Sequence, residues 1–205
     1  MEIKDGTVIS VRHYSGLSPF KSVVLEATEN TITIKLAKEF AVMNFLDGDP
    51  VVFGTVSGNE VHIVGCNIIK VNPKEGILQL AIDKVESDAE KRQYERFPVS
   101  LYADVRIRDS RKKYLAIIKD ISYYGMLVYS KESLEINEQM DIDIYLDKTM
   151  IFLKGSVARK DKNPNYFEYG LKITYEDANS LNYVRDYLKR LKESQEDSVR
   201  KMKGF

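Results

Sequence analysis

Apolar residues in this chain recur at every second position over short spans, and clusters of turn-forming residues cut those spans apart. Ile32, Ile34 and Leu36 alternate with Thr31, Thr33 and Lys35; Met140, Ile142, Ile144 and Leu146 alternate with Asp141, Asp143 and Tyr145. A period of two sends neighbouring side chains to opposite faces of a strand, one face buried and the other wet. Asp47-Gly48-Asp49-Pro50, Ser57-Gly58-Asn59, Asn72-Pro73-Lys74-Glu75-Gly76, Asp109-Ser110 and Asn163-Pro164-Asn165 supply the breaks. Glycine accepts positive φ in such turns, and proline cannot continue a ladder. Many short strands at close spacing favour small barrels.

In the first part of the chain, Lys21–Ala27 and Thr31–Leu36 flank Thr28-Glu29-Asn30, Val51–Val56 and Glu60–Cys66 form a hairpin, and Ile77–Ile82 follows. No helical period intervenes, so residues 1–85 are expected to be an N-terminal β-barrel domain. Between Asp83 and Phe97 apolar residues almost vanish, which marks residues 86–98 as a charged linker. A second set of strands follows at Val99–Arg108, Tyr114–Ile121, Gly125–Tyr129, Met140–Leu146, Ile151–Ala158 and Tyr166–Tyr175. Six strands of this kind predict a second barrel. The period then changes: Leu181, Val184, Leu188 and Leu191 fall at three- and four-residue steps, with Tyr187 beside them, giving an amphipathic helix from about Asp177. Acidic residues punctuate its polar face, so it is expected to pack on its own barrel and not on a membrane. Barrel and helix together span 99–192, and 193–205 reads as a frayed charged tail. The expected fold class is mainly β: two small β-barrel domains and a C-terminal amphipathic α-helix.

Composition narrows the chemistry. No stretch of the 205 residues approaches the ~18–20 apolar positions of a membrane span. The start, Met1-Glu2-Ile3-Lys4-Asp5-Gly6, lacks the basic flank and apolar run of a signal peptide, so a cytoplasmic location is expected. Cys66 is the only cysteine, lies in an apolar run, and reads as a small buried hydrophobe. With His13 and His62 the only histidines, a structural zinc site or histidine-based catalysis has few candidates; no catalytic residue and no metal is expected. Residues 1–86 hold 8 Lys/Arg against 11 Asp/Glu and residues 87–205 hold 23 against 20. Neither half has the basic excess of a protein held by polymer phosphates, so no nucleic acid polymer is expected as a partner. Anion binding must be local and set by a few placed arginines.

Two short motifs offer such a set. Arg92-Gln93-Tyr94-Glu95-Arg96 places two guanidinium forks four residues apart, with Lys91 beside them. Arginine's planar fork suits phosphate, pairs with guanine O6 and N7, and stacks on a purine. Read alone, the run is also compatible with a solvated linker whose surface pairs contribute ~0–1 kcal/mol each. Asp120-Ile121-Ser122 ends one apolar strand and Gly125 begins the next. A carboxylate there can accept the N1 and N2 hydrogens of guanine, a serine can reach phosphate or the guanine amine, and glycine leaves no Cβ in a ligand's way. Read alone, the segment is also an ordinary side-chain-supported turn. Tyr123 and Tyr124 could stack on a base or pack locally.

Together the two motifs resemble the PilZ domain, a bacterial receptor for cyclic di-GMP, whose pattern is R-x-x-x-R before a β-barrel and then D/N-x-S-x-x-G. The match falls on Arg92, Arg96, Asp120, Ser122 and Gly125, with Asp120 following Arg96 by 24 positions. The resemblance implies a receptor without catalysis: the arginines clasp phosphate and guanine, Asp120 reads the base, Ser122 assists and Gly125 shapes the wall. Arg159 and Gly170 are additional contacts on the same grounds, Arg159 being also readable as a strand-end charge. Lys91 could help hold a second, stacked nucleotide. Residues 1–85 resemble, by arrangement, the N-terminal barrel of YcgR-like flagellar-brake proteins. That implies a cyclic di-GMP effector whose two domains reorient on binding and which regulates motility through a protein of the flagellar motor. Output to exopolysaccharide or adhesion is an alternative. A flavin-binding split-barrel oxidoreductase is more remote, because no phosphate motif or redox pair occurs in the first region.

Overall fold

The computed structural model describes residues 3–16, 19–37, 44–57, 60–83, 94–108, 110, 112–146, 149–175 and 177–203. Two compact units are present, Met1–Lys91 with Leu191–Phe205, and Arg92–Arg190.

The first unit is a closed barrel of six antiparallel strands: β1 (Val8–His13), β2 (Phe20–Ala27), β3 (Thr31–Leu36), β4 (Pro50–Ser57), β5 (Glu60–Asn72) and β6 (Ile77–Ile82), in the order β1-β2-β3-β6-β5-β4. Ile32, Ile34 and Leu36 point inward as their alternation requires, and join Ile9, Val11, Phe20, Phe53, Cys66, Ile68, Leu78 and Leu80 in one core. The sequence reading did not include β1. His13 takes an inward position beside Ile9 and Val11, and Ser10 is buried on the opposite face, so buried polar residues on both faces hide the alternation. His13 is buried and keeps its polarity satisfied: Nε2 lies 3.2 Å from Asp49 Oδ2 and Nδ1 lies 2.7 Å from Ser15 Oγ. A carboxylate only accepts, so in the neutral ring Nε2 donates to Asp49 and Nδ1 accepts from Ser15. Strand β5 runs past the expected Cys66 to Asn72 through a bulge between Ile68 and Lys70.

The second unit holds β7 (Phe97–Ile107), β8 (Lys113–Ile121), β9 (Gly125–Ser130), β10 (Gln139–Leu146), β11 (Thr149–Lys162) and β12 (Phe167–Thr174), closed as β10-β11-β12-β9-β8-β7. Closing the sheet removes every free edge. Gly155 permits the tight packing, since a Cβ there would come within 2.9 Å of Ile142 Cδ1. Tyr169 is fully buried on β12; its hydroxyl donates to Glu132 O at 2.7 Å and accepts from Leu134 N at 2.8 Å, pinning the β9–β10 connection. Burial pushes that phenol's pKa up.

Helix α1 runs Ala178–Lys203. Asp177 caps it by accepting Ser180 N at 2.7 Å, and that bond to the ionised form holds the Asp177 carboxyl below its ordinary pKa. Val184, Leu188 and Leu191 are buried, and the stripe continues through Gln195 and Val199. The stretch from Glu193, expected to fray, is therefore helical to Lys203. The helix is expected to pack on the second barrel; from Leu191 onward its residues count with the first unit. There Val199 fits over Gly54, where an added Cβ would lie 2.2 Å from Val199 Cγ2. Among the described residues no helix is long and apolar enough to cross a membrane, and no cluster of metal-binding side chains occurs.

Candidate functional site

The β8–β9 hairpin builds the centre of the site. Ladder pairing ends at Ile121↔Met126, and a bulge between Ile118 and Asp120 re-aims the end of β8. Ser122 closes the turn twice: its amide donates to Gly125 O at 2.8 Å and its hydroxyl donates to the same oxygen at 3.1 Å. Gly125 is where β9 meets β12; a Cβ there would sit 3.2 Å from Leu171 O and 3.6 Å from Ser122 Oγ. The glycine thus keeps open the space between the turn and β12.

Strand β7 brings the arginine motif to this point, since Phe97 pairs with Ile121 and Pro98 with Asp120. Arg96, one residue earlier, places Nη1 3.3 Å from Asp120 Oδ2. The Arg96 side chain is 39% exposed and that of Asp120 is 18% exposed, so the guanidinium reaches solvent and the carboxylate lies deeper. Lys91 and Arg92 lie outside the described residues. On the far wall Arg159 pairs with Gly170 across β11 and β12 after a bulge between Val157 and Arg159. A Cβ on Gly170 would stand 3.3 Å from Arg159 Cβ, so the absent side chain lets the arginine lie along the barrel. Arg159 is engaged on both sides, by Asp161 at 3.0 Å and Glu168 at 3.5 Å.

These pieces enclose an open cavity of about 330 Å³, lined among others by Arg96, Ser122, Gly125, Arg159 and Gly170. Asp120 does not line it and stands behind Arg96, its ion-pair partner. The structure therefore brings together, within one unit, every motif residue it describes. Among the lining residues to which the sequence assigns no role, Tyr94 and Lys172 are the two with polar or charged side chains. Lys172 pairs with Gly125 across the β12–β9 ladder and has no carboxylate partner among the described residues. Its signal was its place two residues beyond Gly170, on the same face of a strand. Tyr94 is the middle residue of the arginine motif, and its ring lies 4.8 Å from that of Tyr124. In chemical terms the site is a shallow cleft lined by Arg96, Arg159 and Lys172, with the Asp120 carboxylate held behind Arg96, the Ser122 hydroxyl and two aromatic faces. It suits a small anion that carries a planar base.

The family model described as the PilZ domain matches residues 90–190, the stretch that contains this cavity. The chain is a PilZ-domain protein. No curated protein matches it in sequence. Among solved structures, the Bacillus subtilis inhibitor of motility (MotI/DgrA) is similar at 16% identity over 94% of this chain and 99% of that one, with a TM-score of 0.44. YcgR from Escherichia coli, in complex with c-di-GMP, is similar at 9% identity over 96% and 88%, with a TM-score of 0.48. The K. pneumonia MrkH–c-di-GMP complex is similar at 14% identity over 96% and 90%, with a TM-score of 0.47.

Proposed function

We propose that this PilZ domain binds cyclic di-GMP, and that binding sets the orientation of the two barrel domains so that a protein of the flagellar motor reads the result. The observation that carries the binding claim is the meeting of Arg96 with Asp120 at a cavity inside the family-matched residues. Arg96 exchanges Asp120 for a phosphate or for guanine O6 and N7, and Arg92 supplies the second fork. Asp120, released by Arg96, accepts the N1 and N2 hydrogens of the base. Ser122 already holds the turn by donating to Gly125 O, and its hydroxyl oxygen stays available to accept from the guanine amine. Arg159 and Gly170 form the opposite rim, and Lys91 is the cation available to a second nucleotide.

Micromolar affinity corresponds to about −8 kcal/mol. A few charge-assisted hydrogen bonds at ~1.5–3 kcal/mol each, with base stacking, reach that before ordering costs. Binding forms and breaks no covalent bond, so the protein acts as a receptor, and its proposed location is the cytoplasm. The reorientation claim is supported by chain order: the arginine motif lies in the segment that joins two β-barrel domains.

Calorimetric titration of cyclic di-GMP into the wild type and an Arg92→Ala, Arg96→Ala double variant tests the site. Binding by the first and none detectable by the second is expected; equal affinity refutes the assignment. Small-angle scattering with and without nucleotide tests the reorientation, which superimposable profiles would rule out. Recovery of a motor protein only in the presence of nucleotide tests the output.

A further inference from the structure

One wall of the cavity is aromatic, and it is built around the arginine motif. Tyr94 meets Tyr124 at 4.8 Å between ring centroids, tilted by 53°, and meets Tyr123 edge-on at 6.1 Å. Tyr123 and Tyr124 are the two tip residues of the turn that Ser122 closes onto Gly125. That tip is held from the barrel side. Tyr175 packs edge-on against Tyr124 at 5.8 Å and donates its hydroxyl to Tyr123 O, and the Arg185 guanidinium of α1 lies 5.8 Å from the Tyr123 ring centre. Burial pushes the Tyr175 phenol well up, so it stays a neutral donor throughout the physiological range. The surface that receives Tyr94 is thus rigid, and Tyr94 itself lies in no strand ladder.

We infer that the Tyr94–Tyr124 ring contact is a latch that holds the Tyr94–Arg96 half of the arginine motif on the barrel before any ligand arrives. Both tyrosines are then positioning residues for Arg96. The inference rests on the proposal that the cavity takes cyclic di-GMP. The pair of Arg96 with Asp120 also ties the arm before Phe97 to the barrel, but the ligand must take that very guanidinium for itself. The ring contact is not spent in the exchange. Tilted aromatic pairs attract through their quadrupoles and buried area, neither of which changes when Arg96 swaps partners. The arm stays docked while its arginine turns, so less chain has to be ordered at the moment of binding.

Two measurements on the full chain decide this. In the ligand-free protein, nuclear Overhauser contacts between the Tyr94 and Tyr124 rings are expected; their absence overturns the latch. Dissociation constants for cyclic di-GMP are then compared for wild type, Tyr94→Ala, Tyr124→Ala and the double variant. Each single change is expected to weaken binding about tenfold, and the double variant no more than the worse single, because either removal opens the same latch. Tyr124→Phe keeps the ring and is expected to stay within about twofold of wild type. Losses that multiply would mean that each ring acts on the nucleotide independently, and unchanged singles would mean that the ring contact does not position Arg96; either result refutes the inference. Tyr94→Ala guards against misfolding, since Tyr94 lies outside the barrel strands. A wild type that shows the ring contact but does not bind cyclic di-GMP refutes the functional proposal and leaves the latch standing.

Discussion

The two barrels follow one strand order, since β7-β8-β9-β12-β11-β10 repeats β1-β2-β3-β6-β5-β4. The likeness extends to single residues. The β2–β3 hairpin has its bulge between Val24 and Glu26 and its turn closed by Thr28, whose amide and hydroxyl both donate to Thr31 O, at 2.8 and 3.3 Å. That is the pattern of Asp120, Ser122 and Gly125, with Glu26, Thr28 and Thr31 in their places. Across the barrel, β5 bulges between Ile68 and Lys70, and Lys70 pairs with Gln79 as Arg159 pairs with Gly170. What differs is small. Threonine replaces glycine at the turn, glutamine replaces glycine beside the cation, and alanine (Ala81) replaces Lys172. The β1 ladder also reaches only Val23, whereas β7 pairs as far as Ile121 and so delivers Arg96 to Asp120. One topology serves as plain scaffold or as a receptor cleft, according to two missing side chains, one added lysine and one longer strand.

Moving first-barrel residues into the second tests that comparison directly. Gly125→Thr should be the most damaging: its Cβ lies 3.2 Å from Leu171 O, and the side chain would fill the cleft. Calorimetry should show cyclic di-GMP binding weakened roughly a hundredfold, about 2.7 kcal/mol, with an unchanged circular dichroism spectrum. Next, Gly170→Gln would push on Arg159 from 3.3 Å, a neighbour flexible enough to move aside. A loss of about tenfold is expected, and the same variant with Arg159→Ala should lose no more, since the arginine is the group displaced. The smallest effect belongs to Ser122→Thr. Thr28 makes the same hydroxyl bond in the first barrel, so affinity should stay within about threefold of wild type. A large loss there would mean that Ser122 contacts the ligand through space that a methyl group occupies.

How far the sequence could be read depended on whether neighbours in space were also neighbours in pattern. The strands around Ile32–Leu36 and Met140–Leu146 were plain because one face is uniformly apolar. Strand β1 was hidden because Ser10 and His13 are buried polar residues, and a hydrogen-bonded histidine looks the same in sequence as an exposed one. The second half of α1 was hidden because Gln195 occupies a buried stripe position among charged residues. At the site, the nearness of Arg96 to Asp120 was legible from the joint motif. The role of Tyr94 was not, because it depends on a ring partner set by turn shape. Lys172 left only its place two residues beyond Gly170, which gives the shared face but not the ladder register that sets it opposite Gly125.

Because Leu191–Phe205 counts with Met1–Lys91, the first unit is discontinuous, and the PilZ domain is in effect an insertion within it. During synthesis the opening barrel emerges from the ribosome early yet waits for the final turns of α1 before Val199 can cover Gly54. Severing the chain after Arg190, where the family match stops, would cut a continuous helix and strip that barrel of Leu191, Gln195 and Val199. An excised receptor module would therefore leave behind a partner domain with an uncovered flank, and aggregation of that remainder would say nothing about nucleotide.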